Sequence, residues 1–237
     1  MHLNSRVITL KIDVDTYRGM EKGVPVLLEI LRRHNIQASF FLSFGPDNSG
    51  KAIWNIFRTK GFLSKMVRTG APRLYGLKTM LYGTLLPAPL IASTLPNLTK
   101  QIAVESHEIG IHAWDHRLWQ DNLDRLSEAR ISEEFEKSIR SFKSILGITP
   151  KATAAPAWSC NSLSLKIQDS LGLDYSSDTR GRLPFYPRLN GRVFKTLQIP
   201  TNQPCIEELI GPDFVNNDTL VEFQISRLHI GIPNVVT

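Results

Sequence analysis

The chain has 237 residues, 42% hydrophobic and 21% charged, which supplies one sizeable core and excludes a disordered polymer. Its 28 Lys+Arg against 22 Asp+Glu leave a formal charge of +6. That favours an anionic contact, a phosphorylated substrate or an acidic lipid surface; the basic residues form no run or stripe of the kind nucleic acid requires, so no nucleic-acid partner is expected. Two cysteines, Cys160 and Cys205, exclude a disulfide scaffold and a paired CxxC metal set, and point to a reducing compartment.

Met1 to Arg6 lead straight into an alternating segment without the apolar core of a signal peptide, so export is not expected. Residues 7–14 read as a strand, followed by a turn at Arg18-Gly19 and a helix over 24–34, with Pro25 in its first turn and Leu27, Leu28, Ile30 and Leu31 as its apolar side. Residues 36–44 read as a second strand ending at Gly45-Pro46. From about 47 to 96 a long interruption follows, expected to be an inserted cap or membrane-proximal segment, with a helix near 52–67. The stretch between Lys78 and Lys100 carries no charge, yet Gly83, Pro87, Pro89 and Pro96 break it too often for a spanning helix. Ordinary packing of an extended loop is the plainer reading.

Further on, the pattern predicts a helix over 98–107, a strand over 108–113 and a helix over 127–146, where Ile131, Phe135, Ile139, Phe142 and Leu146 recur at helical spacing before Gly147 and Pro150. Strands are expected at 151–155, 173–176 and 193–199, helices at 162–171 and 218–229, and a last strand beginning near 232. The alternation of strand and helix specifies an α/β fold, a barrel or a layered sheet, in a single domain over 1–237.

Two short motifs carry chemistry. In Lys11-Ile12-Asp13-Val14-Asp15-Thr16, strand alternation puts Asp13 and Asp15 on one face with Ile12 and Val14 packed behind; the same alternation also describes solvent-facing acids on a half-buried strand. In His112-Ala113-Trp114-Asp115-His116 the two histidines share a face if the segment is helical, and a loop can equally gather them around an ion; a structural histidine pair is the plainer alternative. Two imidazoles and a carboxylate suit a divalent ion with open positions, so Asp15, His112 and His116 are the candidate ligands. One divalent metal ion is therefore expected, and the mixed nitrogen and oxygen set admits zinc, manganese, cobalt or nickel.

These two motifs together resemble those of the polysaccharide deacetylase family with NodB homology, which implies a distorted (β/α) barrel. By that resemblance Asp13 matches the catalytic base, Asp15 the metal-binding aspartate, and His112 and His116 the metal-binding histidines. The segments Ile12 to Gly19, Phe44 to Asn48, Gly110 to His116 and Tyr175 to Gly181 resemble more narrowly the bacterial branch that deformylates a polyprenyl-phosphate-linked formamido sugar. That branch implies work at the anionic cytoplasmic face of the inner membrane, peripheral or monotopic, in lipid A modification and resistance to cationic antimicrobial peptides. Arg58, Lys60, Lys65, Arg68 and Arg73 of the interruption are then candidates to approach phosphate or lipid.

Two departures stand out. The family's Arg-x-Pro motif meets Ala154-Ala155-Pro156, so Arg180, acting through Asp178 or Asp13, is the candidate replacement for the arginine that positions the base, against an ordinary surface ion pair. Trp114, Pro156 and Trp158 are candidates for shaping the pocket. The Leu-x-His-like motif that supplies a proton donor has no counterpart before Thr237, and His229 stands too early for it, so an incomplete C-terminus of the barrel is expected. The alternatives to a deformylase are a metal-dependent N-deacetylase of another amino sugar and an inactive membrane- or carbohydrate-binding protein.

Overall fold

The computed structural model describes residues 7–51, 78–205, 208, 217–228 and 233–237. The helix expected at 52–67, the five basic residues of the interruption and His229 lie outside them.

β1 (Val7–Val14) alternates as its sequence demands. Leu10, Ile12 and Val14 enter the main apolar cluster, while Thr9 and Lys11 face the opposite, concave side. After β1 the expected turn at Arg18-Gly19 is instead helical: the Thr16 hydroxyl accepts from the Gly19 N–H at 2.9 Å and its carbonyl accepts from the Met20 N–H at 3.0 Å. That cap starts a wide turn over Gly19–Gly23 which runs directly into α1 (Val24–His34). Asn35 ends α1 in the left-handed region at φ 52°, and β2 (Ser39–Ser43) follows, shorter than the expected 36–44.

Next come α2 (Pro96–Val104), β3 (Glu108–Ala113), α3 (His116–Asn122) and α4 (Glu128–Leu146). Ser127 caps α4, Gly147 at φ 73° closes it, and its buried Ile131, Phe135, Phe142 and Ile145 follow the helical period. β4 (Ala152–Thr153), α5 (Ser162–Leu171), capped reciprocally by Asn161 and Ser164, and β5 (Tyr175–Ser176) complete the next unit.

The strand expected at 193–199 is two structures. β6 (Arg188–Leu189) and β7 (Arg192–Val193) form a hairpin through Asn190 and Gly191, both at positive φ, and β8 (Leu197–Gln198) joins the main sheet separately. Between them the Asp169 carboxylate accepts from the Lys195 and Thr196 N–H groups and bends the chain. α6 (Asn217–Ser226) and β9 (Pro233–Val236) finish the described chain.

The main sheet runs β8-β5-β4-β3-β2-β1-β9, every pair parallel. It is open between β8 and β9. Side chains bridge that seam instead of a ladder: Asn202 Oδ1 accepts from the Val235 N–H at 2.8 Å and Gln203 Nε2 donates to Asn234 Oδ1 at 3.1 Å. The result is an α/β fold with an open, distorted half-barrel, whose concave interior holds a cavity of about 210 Å³ between residues such as Lys11, Phe41, Tyr175 and Ile199. The interruption after β2 leaves and returns at one place, since Pro46 bridges Leu90 and the Asp47 N–H donates to the Pro89 carbonyl at 2.8 Å. Its uncharged part is broken into short turns at Thr79–Leu81 and Ala92–Thr94, and no helix among the described residues is long and apolar enough to cross a membrane.

His107, just before β3, is buried against Phe40, and its Nδ1 accepts from the Ala38 N–H at 3.3 Å. Burial lowers its pKa despite Glu105, so the folded chain holds it neutral where the unfolded chain still binds a proton. The stability this contributes is present above the ordinary histidine pKa of about 6.5 and is lost as pH falls below it. Urea midpoints of the wild type should therefore drop more than those of His107→Gln between about pH 7 and pH 5; parallel curves would remove His107 as the cause.

Candidate metal centre

The site lies where β1 and β3 end. Lys11 and Asp13 share the concave face of β1, Asp15 follows its last residue, and His112 is on the same side of β3. His116 does not share a helix with His112; it is the first residue of α3, one turn of chain beyond the strand. Asp115 makes that turn rigid. Its Oδ1 accepts from the Leu118 N–H at 3.0 Å as the cap of α3, Asn48 Nδ2 donates to its Oδ2 at 2.7 Å, and its own N–H donates to Glu134 Oε2 at 3.0 Å.

Gly45 is required at this junction. Its N–H donates to the Trp114 carbonyl at 3.0 Å, and a Cβ there would overlap that carbonyl, which a backbone group cannot evade. Gly45→Ala is expected to destabilise the fold by about 1–3 kcal/mol through overpacking, read as a lowered urea midpoint. An unchanged midpoint would show that Trp114 yields.

Asp15, His112 and His116 converge, their candidate ligand atoms all within 4.8 Å of one another. His112 Nε2 stands 3.1 Å from Asp15 Oδ1 and His116 Nε2 3.5 Å from Oδ2. Oδ1 of Asp15 is buried without an aligned hydrogen bond, as is Oδ1 of Asp13. A buried carboxylate oxygen without an aligned hydrogen bond, facing two converging imidazole nitrogens, fits a divalent cation that all three can ligate. Burial would raise the Asp15 carboxyl, but His116, His112 and Lys11 outweigh it and hold it well below the usual carboxylate range. Burial also lowers His116, keeping a ring nitrogen lone pair available; His112 is buried too, but Asp13 and Asp15 raise it.

Next to the cluster, Lys11 Nζ donates to Asp13 Oδ2 at 2.8 Å. This pair corrects the expectation for Arg180. Arg180 Nη2 pairs with Glu208 at 2.8 Å and its guanidinium stacks 4.1 Å above the Trp158 ring; among the described residues it reaches neither Asp13 nor Asp178. The physical reason is placement: Arg180 is an exposed residue paired with Glu208, whereas Lys11 is buried on the strand face of Asp13.

Asp178 is wholly buried, and burial raises its carboxyl. It accepts from the Ala155 N–H at 2.7 Å, Gln168 Nε2 at 2.7 Å and Gln198 Nε2 at 3.3 Å, and so ties the loop after β4 to β8. That loop starts at buried Pro156 and holds Ala157 and Trp158 in the left-handed region, both at φ 52°. The Trp158 Nε1–H donates to Thr201 Oγ1 at 3.0 Å. The Cys160 thiol nearby is pushed up to about 12 by burial and by Asp178, which removes it as a nucleophile.

Asn48, Glu134, Gln168, Gln198 and Lys11 were not singled out from sequence for these contacts. Only Lys11 carried a usable signal, its place two residues before Asp13 on the same strand face.

An open parallel half-barrel with a His, His and Asp cluster at its strand ends and a second aspartate beside it has the layout of a metal-dependent amide hydrolase site. The chain belongs to the polysaccharide deacetylase family, whose sequence profile matches residues 2–176. It is 41% identical over 214 residues to a Shewanella sediminis protein named "Probable 4-deoxy-4-formamido-L-arabinose-phosphoundecaprenol deformylase ArnD", with 90% of this chain and 68% of the relative covered. A Wigglesworthia glossinidia brevipalpis protein of the same name is 34% identical over 193 residues, with 81% of this chain and 67% of the relative covered. In fold the chain is similar to a family 4 carbohydrate esterase from Streptomyces lividans (TM-score 0.55, 13% identity, 98% of this chain and 79% of that one). It is also similar to a CE4 family pseudoenzyme from Bacillus anthracis (TM-score 0.54, 16% identity), covering 99% of this chain and 56% of that one.

Proposed function

We propose that this chain hydrolyses the formamide of undecaprenyl-phosphate-linked 4-deoxy-4-formamido-L-arabinose, releasing formate and the amino sugar lipid. The observation that carries the reading is Asp13 set beside the Asp15, His112 and His116 cluster with one carboxylate oxygen unpaired. The names of the two deformylase relatives support the substrate.

Asp15, His112 and His116 would hold the divalent ion, zinc, manganese, cobalt or nickel. Bound there, it supplies Lewis-acid polarisation of the formamide carbonyl and lowers the cost of deprotonating water. Asp13 acts as general base for the attacking water and returns the proton to the departing nitrogen as the tetrahedral species collapses. Trp114, Pro156 and Trp158 shape the walls, and Asp178 fixes the loop that carries Pro156 and Trp158. The lipid-linked substrate places the chain at the anionic cytoplasmic face of the bacterial inner membrane as a peripheral or monotopic protein, with the 47–96 segment as its membrane-proximal cap.

The test is product-resolved mass spectrometry of metal-loaded protein with the formamido-arabinose lipid and its acetamido counterpart. Formate release from the first, with the second left intact, is the expected result. Preferential acetate release would replace the reading with an N-deacetylase. Neither product, with folding and metal content confirmed, would replace it with a binding protein.

A further inference from the structure

We propose that Lys11 is the positioning residue of Asp13, gripping one carboxylate oxygen so that the other stays oriented toward the substrate water. This rests on the reading of Asp13 as the base.

The Lys11 side chain is only 2% exposed, and lysine is almost never buried so deeply without a partner. Its partner is Asp13 Oδ2 at 2.8 Å, while Oδ1 of the same carboxylate is buried and makes no hydrogen bond among the described residues. One oxygen is thus anchored and the other left to accept.

The other nearby carboxylates have anchors of their own. Asp178 is held by Ala155, Gln168 and Gln198, and Asp15 faces the two imidazoles. Lys11 therefore gives its hydrogen bond to Asp13, although its charge is also felt by Asp15 and Asp178.

The ammonium is also walled in. It lies 5.7 Å from the centres of both the Phe41 and Trp158 rings, within range of a cation–π attraction from each. Trp158 reaches that place through left-handed backbone and through its hydrogen bond to Thr201, both of which oppose its moving away. A buried ion pair is weak evidence for stability, since apolar replacements of similar volume are often neutral or stabilising. The orientation of Asp13 is what a neutral replacement would lose.

The experiment compares Lys11→Met, Lys11→Arg, Asp13→Asn and the Lys11→Met/Asp13→Asn pair on the formamido-arabinose lipid and its acetamido counterpart, with metal content measured throughout. Lys11→Met should lose about 100-fold in kcat, as a misplacement near 1 Å does, with KM and metal content within about twofold of wild type. Lys11→Arg should recover about tenfold of that loss, and the double variant should be no slower than Asp13→Asn alone. Unchanged kcat in Lys11→Met, or losses that multiply in the double variant, would overturn the proposal.

A crystal structure of Lys11→Met supplies an arm independent of turnover. The Asp13 carboxylate should be rotated or shifted while Asp15, His112 and His116 keep their places, and an Asp13 that keeps its pose overturns the proposal. If the wild type converts neither lipid, the hydrolase reading falls, and the crystallographic comparison still decides whether Lys11 orients Asp13.

Discussion

Asp13→Asn is expected to lower kcat by about 10²–10⁴-fold, the range over which a positioned general base contributes. The substitution keeps the shape of the side chain and removes its basicity, so the loss should fall on kcat with KM little changed. Metal content should stay at the wild-type level, because the converging ligand atoms belong to Asp15, His112 and His116 and not to Asp13. Asp15→Asn is the informative contrast. The two aspartates stand two residues apart on one face of one strand end, and the second variant should lose metal as well as activity. Wild-type turnover in Asp13→Asn, measured as formate released per unit time, would eliminate Asp13 as the base.

His112→Ala should abolish stoichiometric metal binding. His112 is buried with its Nε2 3.1 Å from Asp15 Oδ1, and its removal leaves one imidazole and one carboxylate where three ligands converged. Losing a residue that merely supports a ligand already costs about 10–100-fold in metal affinity, so losing a ligand itself should exceed about 100-fold. Metal analysis after gel filtration, paired with titration by a divalent ion, reads this directly. His116→Ala should behave alike, whereas His107→Gln, on the far side of β3's start, should bind metal normally. Full metal content in His112→Ala would show that the cluster is not the metal site.

How much of this was legible beforehand depends on the range of the interaction involved. The amphipathic period of α4 and its Gly147 stop, Pro25 in the first turn of α1 and the alternation of β1 are local patterns, and the structure reproduces them. The two histidines were visible as a spacing, but their arrangement was not. Strand alternation sets the direction of His112, a helix cap sets that of His116, and the boundary falls at Asp115, whose hold depends on Asn48 and Glu134 from distant segments. The split of 193–199 into a hairpin strand and a sheet strand was equally hidden, since Asp169, on another helix, imposes the bend.

Arg180 and Lys11 show the same division most sharply. From the chain alone, Arg180 beside Asp178 was the natural candidate to serve the base, because proximity in sequence was the available measure. In the folded chain Arg180 stacks on Trp158 with Glu208 as its partner, and the cation at Asp13 is a lysine buried on the same strand. Residue type and strand period were enough to identify the α/β class, the acidic strand end and the two histidines, since these follow from backbone geometry over a few residues. Which cation meets which carboxylate, and which walls enclose them, was decided only when parallel strands distant in sequence were brought side by side, because burial and ion pairing are properties of the assembled surface and not of the chain.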